Sequence, residues 1–330
     1  MRVLLSPPFL GGTGGMERAV HDMTKSFVAN GHRVDIWAPK VLPGTWGVDD
    51  SLFHRVPAWR GRGGHDSTSN ARERIVHALR PVRRALSPRY DVHIGFRWTL
   101  PVAPLIRADQ HWVNPSGVEF APEDLRYYDA VAMQAPDNIG LVPPGTRTVL
   151  LPPPLLDLAA ESESVAGLPD EYVLTVFNAR HGIKGGADLG ELLERSPLPV
   201  VWCTAKDSPT EGVDDRLLDN PRLIQLREPS RGQLRHLYEH AYAYVSLSLT
   251  EGFGWAIADA LRYTPRVVAR RVGVMTFDEA LQRGVHVIGD SGISGIDWDA
   301  VSAGSMDPEQ RDLEWLSAAS FCRRIEHLLG

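Results

Sequence analysis

Apolar residues in the first forty positions form two short runs with a periodic segment between them. Val3-Leu4-Leu5 is a run of the type found in buried strands, and residues 34–39 form a second one. Residues 17–30 carry apolar side chains at helical spacing on one face, and Gly31 follows as a natural stop. Strand, helix and strand at this spacing predict a βαβ unit, and hence a parallel sheet with a right-handed crossover.

The same alternation begins again after Pro152-Pro153-Pro154 and an acidic, small-residue run at residues 157–165. In this second half, strands are predicted at residues 172–177, 198–203 and 243–249, with helices at 187–194, around 233–239 and after Glu251. Further short strands are predicted at residues 91–96, just before His111, and at 128–133, 148–151, 267–269 and 285–288. The predicted fold class is α/β, with two Rossmann-like domains, residues 1–155 and 156–310, facing across a cleft.

Composition narrows the classes of protein. The 330 residues are 43% apolar and 23% charged, which is typical of a soluble globular chain, and the formal net charge is −6. A mildly acidic chain has no overall attraction to nucleic acid, so we predict no nucleic-acid partner. Cys203 and Cys322 are too few for a disulfide framework and are expected to be small buried residues. Because the N-terminus lacks the apolar core of a signal peptide and no run has the roughly 18–20 apolar residues of a membrane span, we expect a cytoplasmic protein.

A glycine-rich turn, Gly11-Gly12-Thr13-Gly14-Gly15, lies between the first predicted strand and the first helix. Helix N–H groups and the helix dipole favour an anion at such a position, and glycines let a phosphate approach the backbone. The turn does not match the dinucleotide fingerprint, since Glu17 stands three positions after Gly14, and no Gly-Lys-Ser/Thr follows as in a P-loop. A plain tight turn explains the glycines equally well.

A second turn, residues 180–186, follows the first strand of the second half and contains Arg180 and Lys184. Lysine is scarce in this chain, and Lys184 stands between glycines at the start of a predicted helix. Its ammonium could neutralise a phosphate there, although a solvated surface lysine is the simpler interpretation.

A third segment, Glu251-Gly252-Phe253-Gly254, is predicted to leave the end of a strand, with Asp259 eight positions after Glu251 and two turns into the next helix. Two carboxylates at a strand-to-helix junction suit hydrogen bonds to sugar hydroxyls, because ionised carboxylates are strong acceptors. Gly252 and Gly254 would leave their N–H groups open to an anion. The alternative is a capping acid and a solvated helix acid.

Taken together, four segments resemble the family-4-type glycosyltransferases of the GT-B fold, and they occur in that family's order. They are Gly-Gly-Met-Glu-Arg at 14–18, Asn-Gly-His-Arg-Val at 30–34, Lys184-Gly185, and Glu-Gly-Phe-Gly at 251–254. The closing amphipathic segment, residues 315–329, resembles the C-terminal helix that packs back on the first domain in that family, so residues 311–330 are expected to do so here.

For the donor, the resemblance implies a nucleotide-diphosphate sugar and transfer with retention at the anomeric carbon. It places the diphosphate near Gly14 and Gly15 of the first domain and between Arg180 and Lys184 of the second. Arg180 is one residue closer to Lys184 than the family's usual spacing. Cationic groups and helix termini can activate such a donor without a metal, so we predict no metal and no cofactor.

For the sugar, the resemblance implies that Glu251 holds its hydroxyls, while the amides of Phe253 and Gly254 contact sugar and phosphate. Asp259 stands where the family usually has a glutamate and would hold the ribose hydroxyls, more loosely because it is one methylene shorter. The family often supplies a histidine from the first domain, which receives the acceptor. His111, predicted at the end of a strand, is the candidate and His93 the rival.

An arginine-rich stretch at residues 55–90 has nine arginines against Asp66 and Glu73. It is interpreted either as a solvated basic face, or as a surface for an anionic acceptor or for peripheral contact with an acidic membrane.

Three alternatives to a transferase remain on the sequence alone. The first is a nucleotide-sugar-binding GT-B protein without activity, which the aspartate at position 259 mildly favours. The second is a nucleotide-sugar epimerase on the same architecture. The third, a phosphorylase, is disfavoured because it would need a pyridoxal phosphate lysine deep in the second domain, where Lys184 and Lys206 are the only lysines.

Overall fold

A computed structural model describes residues 1–12, 14–38, 40, 46–55, 82, 84–96, 103–115, 125, 127–179, 182–206 and 213–330. The chain divides into two compact units. The first unit comprises Met1–Gln134, Asn138–Pro154 and Leu316–Gly330. The second comprises Ala135–Asp137 and Leu155–Trp315, so the main change of unit falls at Pro154, beside the expected boundary at 155.

Within the described residues, the first unit is built on a sheet of seven parallel strands. The strands are β1 (Arg2–Ser6), β2 (Arg33–Ala38), β3 (Phe53–Arg55), β4 (Arg89–Phe96), β5 (Arg107–Asn114), β6 (Ala130–Met133) and β7 (Thr148–Leu150). Their order is β3-β2-β1-β4-β5-β6-β7, which reverses direction between β1 and β4. Helix α1 (Gly15–Ala29) connects β1 to β2 and buries Met23 and Phe27 completely, as its periodicity predicts.

The second unit repeats this plan with six parallel strands in its described part. They are β8 (Val173–Val176), β9 (Val200–Thr204), β10 (Leu223–Arg227), β11 (Ala243–Val245), β12 (Val267–Ala269) and β13 (Val285–Val287), in the order β10-β9-β8-β11-β12-β13. Its helices are α2 (Leu189–Arg195), α3 (Asp215–Leu218), α4 (Arg231–His240), α5 (Trp255–Tyr263) and α6 (Trp298–Ala303). Its core includes Val173, Trp202 and Val245, none of which is exposed.

The closing helix, α7 (Ala318–Leu329), belongs to the first unit and packs on α1, whereas residues 311–315 of the expected segment 311–330 belong to the second unit. The rings of Phe27 and Phe321 lie 5.2 Å apart, and the Cys322 thiol donates a hydrogen bond to the Ser26 carbonyl at 3.6 Å. Burial of a phenylalanine side chain stabilises the folded state by about 1.5–3 kcal/mol, so this contact contributes substantially to holding the closing helix on α1. The helix begins at Ala318 rather than 315, because Ser317 caps it by accepting from the Ser320 N–H.

The α/β prediction with two Rossmann-like sheets is confirmed, and Cys203 and Cys322 are buried free thiols as expected. Burial raises the pKa of Cys203 to about 12 and that of Cys322 to about 11. No helix in the part of the chain that the structure describes is both long and apolar enough to span a bilayer.

The predicted strand over 243–249 is too long. Strand β11 ends at Val245, and Glu251 lies in the following loop. Beyond Ser246, the backbone turns away from the sheet: Leu247 presents its carbonyl to the Arg270 side chain, and the Leu249 N–H donates to the Ile183 carbonyl. The elements β3, β10, α3 and α6 were not predicted.

Candidate functional site

Strands β8 and β11 are neighbours at the point where the strand order of the second sheet reverses. The chain leaves β8 towards β9 on one side and leaves β11 towards β12 on the other, so both connecting loops start side by side at the carboxyl edge of the sheet. Open α/β sheets bind ligands at such a switch point. The loop after β8 carries Lys184, and the loop after β11 carries Glu251.

Lys184 and Glu251 form an ion pair at this switch point. The Lys184 Nζ lies 2.6 Å from the Glu251 Oε1, and the Ser248 hydroxyl donates to the same carboxylate oxygen at 2.7 Å. The two charged side chains are 26% and 15% exposed, so each can be reached by a ligand while Ser248 holds the carboxylate in place. The fold therefore brings together two residues that the sequence motifs identified separately.

The two loops also contact each other through their backbones. The Leu249 N–H donates to the Ile183 carbonyl at 2.8 Å. Gly185 has a φ of +74°, and a Cβ there would lie 2.1 Å from the Leu247 carbonyl oxygen. Glycine is required at this position both by its conformation and by the close approach of the other loop.

The loop after β11 ends at the N-terminus of α5. Gly254 is the N-cap residue with a φ of +85°, and no described side chain caps this helix end. Phe253 is buried against Trp255, with ring centroids 5.0 Å apart, and its carbonyl accepts from the Val274 N–H at 2.6 Å. This leaves a rigid helix start whose dipole favours a negative group next to Lys184.

Asp259 is the fifth residue of α5, one turn into the helix rather than two, and only 2% exposed. Tyr244 lies in β11, the strand that precedes the motif, and its side chain is buried. Burial raises the pKa of Tyr244, and the charges of Glu251 and Asp259 raise it further, while a hydrogen bond with Ser246 acts in the opposite direction. The Tyr244 phenol therefore stays protonated and neutral.

Arg311 lies at the other end of α5. Its Nη1 donates to the carbonyls of Leu261 and Thr264 at 2.8 and 2.7 Å, and its Nη2 donates to the Pro265 carbonyl at 3.0 Å. Burial lowers the pKa of this guanidinium to about 10. A cation at the C-terminus of α5 interacts favourably with the helix dipole, and its hydrogen bonds hold this end of the helix in place.

Comparison with known proteins gives a clear answer for the fold and none for the family. No family model matches the sequence, and no curated protein matches it. Among solved structures, a sucrose-phosphate synthase from Thermosynechococcus elongatus superposes with a TM-score of 0.73 at 14% identity, covering 99% of this chain and 98% of that one. Anabaena HepE in complex with UDP and glucose (TM-score 0.67, 14% identity, 100% and 99% covered) and the lipopolysaccharide outer core galactosyltransferase WaaB (0.67, 12%, 99% and 98%) are also similar.

The chain has the GT-B fold. At these low sequence identities, the similarity shows the fold alone. The two units of the GT-B fold are the two units described above.

In the first GT-B unit, Gly14 is the N-cap of α1 with a φ of −87°, and Gly15 is the first helical residue. The Glu17 carboxylate lies over this turn: a Cβ on Gly14 would come within 2.6 Å of its Oε2. The helix N-terminus therefore faces the chain's own carboxylate, and a phosphate at Gly14 and Gly15 would have to displace it. A diphosphate at this turn stays a prediction.

His93 and His111 are direct neighbours on β4 and β5, with their Nδ1 atoms 3.1 Å apart. His93 Nε2 also lies 2.6 Å from the Ser6 hydroxyl. Burial holds the pKa of His93 well below its ordinary value, with a further contribution from His111, and burial lowers the pKa of His111 too. His93 has no exposed surface, whereas His111 is partly exposed. The expectation that His111 ends its strand is wrong, because β5 continues to Asn114.

Some predicted residues cannot be placed in this geometry. Arg180 lies outside the described residues, as does most of the stretch 55–90. Of that stretch, Arg89 is described and pairs with Asp109 at 2.7 Å. The sequence motifs missed Ser248 and Tyr244. Ser248 stands three residues before Glu251, but a serine in a loop carries no signal of its own.

Proposed function

We propose that the protein is a retaining, metal-independent glycosyltransferase, of the family-4 type, that transfers a hexose from a nucleotide-diphosphate sugar to an acceptor hydroxyl in the cytoplasm. The observation that carries the proposal is the Lys184–Glu251 pair, 2.6 Å apart at the switch point of the second sheet. A cation and a sugar-binding carboxylate are the two groups that a sugar diphosphate needs at one place. The similarity to glycosyltransferase structures supports the same assignment.

The ligand-free pair suggests how the donor is taken up. A diphosphate is a stronger partner for Lys184 than one carboxylate, and sugar hydroxyls are donors that Glu251 can accept from. Binding would therefore exchange one ion pair for two new contacts, with Ser248 keeping its hydrogen bond to Glu251 at 2.7 Å. Because both side chains are partly exposed, this exchange requires no buried charge to be left without a partner.

In the reaction, the bond between the anomeric carbon and a phosphate oxygen breaks, and the acceptor oxygen takes its place. The acceptor's proton leaves with the nucleoside diphosphate. Negative charge develops on the leaving phosphate, where Lys184, Arg180 and the α5 N-terminus at Gly254 would stabilise it. One preorganised donor of this kind lowers an activation barrier by about 2.7–4 kcal/mol. Asp259 would hold the ribose.

A nucleotide-sugar-binding protein without transfer is the second candidate. Asp259 favours it, since the side chain is both shorter than the glutamate of the resembling family and 2% exposed. If the ribose is held weakly, turnover falls even while the nucleotide-sugar donor still binds.

The test uses purified protein with UDP-, GDP-, TDP- and ADP-glucose, first by thermal shift and then by donor turnover. A ligand that binds only the folded state raises the unfolding temperature and so identifies the nucleotide. Lys184→Gln should weaken binding of the matching nucleoside diphosphate about 10- to 100-fold, since a hydrogen bond to a charged group contributes about 1.5–3 kcal/mol. Glu251→Gln should keep that affinity, because it frees Lys184 from its partner, and should lose sugar turnover.

Lys206→Gln is the matched control, since this exposed lysine follows β9 rather than β8. Wild-type turnover in both site variants would refute the proposal. Binding without any turnover or sugar transfer in the wild type would establish the second candidate, and conversion of the sugar itself would identify an epimerase.

A further inference from the structure

Arg270 follows the last residue of β12 and lies at the same carboxyl edge of the sheet as the ion pair. Its Nη1 donates to the Leu247 carbonyl at 2.8 Å, and its Nη2 donates to the Asp188 Oδ2 at 2.7 Å. The side chains of Arg270 and Asp188 are 19% and 29% exposed. One guanidinium therefore makes two short, directional hydrogen bonds to two different partners.

The two partners belong to the two loops of the candidate site. Asp188 stands four residues after Lys184, at the end of a 3-10 turn, Gly186–Asp188, that leads into α2. Leu247 stands four residues before Glu251, and its carbonyl is also the atom against which Gly185 packs. Arg270 thus connects the loop after β8 to the loop after β11 from a third strand.

We propose that Arg270 is a positioning residue that fixes the distance between Lys184 and Glu251. Its catalytic consequence rests on the proposed function. Each terminal nitrogen of Arg270 donates to one of the two loops, one to a carbonyl and one to a carboxylate, so the guanidinium is held between them. The planar, two-pronged guanidinium suits this task, whereas the point charge of a lysine can serve one acceptor at a time.

Rate depends on such positioning. A misplacement of about 1 Å between reacting groups and catalytic groups can cost on the order of 100-fold in rate. Without Arg270, the two loops would still share the Leu249–Ile183 backbone hydrogen bond, so the site would persist but its geometry would loosen. Loss of activity in a folded protein is therefore the expected signature.

The chain supplies a matched control in the next residue. Arg271 is 54% exposed and pairs with Asp278 at 2.9 Å, a residue in neither loop of the site. Arg271→Gln removes one positive charge at the neighbouring position. An effect seen in both Arg271→Gln and Arg270→Gln therefore comes from the loss of charge, and an effect seen only in Arg270→Gln comes from its contacts.

The experiment measures kcat and KM for the nucleotide sugar chosen by the thermal-shift panel, at a temperature well below unfolding. It compares Arg270→Gln, Arg270→Lys, Asp188→Asn, the Arg270→Gln/Asp188→Asn double variant and Arg271→Gln. Arg270→Gln should lower kcat about 10- to 100-fold while changing the affinity for the nucleoside diphosphate alone less than threefold. Arg270→Lys should be intermediate, and Arg271→Gln should match the wild type.

Because Arg270 and Asp188 act through one contact, the double variant should be no slower than the slower single variant. A merely structural role would instead lower the unfolding temperature, with kcat restored on cooling. Arg270→Gln equal to Arg271→Gln, or a double variant equal to the product of the singles, would overturn the inference.

The two proposals fail in different ways. If Lys184→Gln and Glu251→Gln are inactive but Arg270→Gln is not, the positioning role alone is wrong. If those two site variants are fully active, the proposed function fails and the positioning role fails with it.

Discussion

Substitution of Gly185 by alanine tests how tightly the two loops of the site are packed. Gly185 is buried, with a φ of +74°, and a Cβ there would lie 2.1 Å from the Leu247 carbonyl oxygen and 2.7 Å from its carbonyl carbon. Non-bonded heavy atoms rest about 3.5 Å apart, so one loop must move by more than about 1 Å to admit the methyl group. The atom in the way is backbone, which cannot rotate aside.

Two costs add in the folded state. An L-residue in the left-handed region costs about 1–2 kcal/mol. Forcing a methyl group into a closely packed site costs a further 1–3 kcal/mol or so. The sum, about 2–5 kcal/mol, is a large share of the roughly 5–15 kcal/mol by which native proteins are stable.

Two other glycines of the second unit separate these costs. Gly167 has a φ of +77° and nothing within 4 Å of a built Cβ, so Gly167→Ala reports the conformational cost alone. Gly182 also has open space and no left-handed conformation, so Gly182→Ala should leave the unfolding free energy nearly unchanged. Urea unfolding of the three variants should rank the losses as Gly182→Ala, then Gly167→Ala, then Gly185→Ala. Equal losses for Gly167→Ala and Gly185→Ala would refute the close approach of the loops.

Two further predictions concern buried ionisable groups. In the folded protein, the pKa values of His93 and His111 are lowered below their ordinary value of 6.5. As the pH falls below that value, the unfolded chain therefore binds more protons than the folded chain. The unfolding free energy should therefore fall from about pH 7 to pH 5, by at most about 1.4 kcal/mol per pH unit for each histidine, and His93→Gln should reduce that slope in urea titrations. An unchanged slope would contradict this. Arg311→Met should lower the unfolding free energy by about 2–4 kcal/mol, since it removes this donor from the buried carbonyls of Leu261 and Thr264, whereas the exposed Arg283→Met should cost less than about 0.5 kcal/mol.

The regular parts of the fold could be predicted because their patterns are local. Strand β1, helix α1 and strand β2 follow from apolar periodicity alone, with bounds that differ from the predicted ones by at most two residues. The meeting of Lys184 and Glu251 follows from topology: once β8 and β11 are the first and fourth strands of a doubly wound sheet, their loops adjoin at the switch point.

Of the four edge strands in the described sheets, β7 and β13 were predicted, whereas β3 and β10 were missed because their sequences carry little apolar pattern. Strand β10 lies at the edge of its sheet, and only Leu223 of its five residues is buried. A strand with one buried residue has neither the continuous apolar run of a central strand nor a clean alternation. Strand β3, also at an edge, has one apolar residue, Phe53, among its three. Such strands form because the adjacent strand of the sheet supplies backbone hydrogen bonds. The sequence of the edge strand itself does not indicate this pairing.

Arg270 and Arg271 illustrate the same limit at the site. In the sequence they are two adjacent arginines after an apolar run, and nothing distinguishes them. The structure separates them, because the first bonds to Leu247 and Asp188 while the second, largely exposed, pairs with Asp278. Their difference is set by partners 23 and 82 residues away for Arg270 and seven residues away for Arg271. A motif identifies residues that touch a ligand, but the distance between Lys184 and Glu251 depends on a third strand that no motif includes.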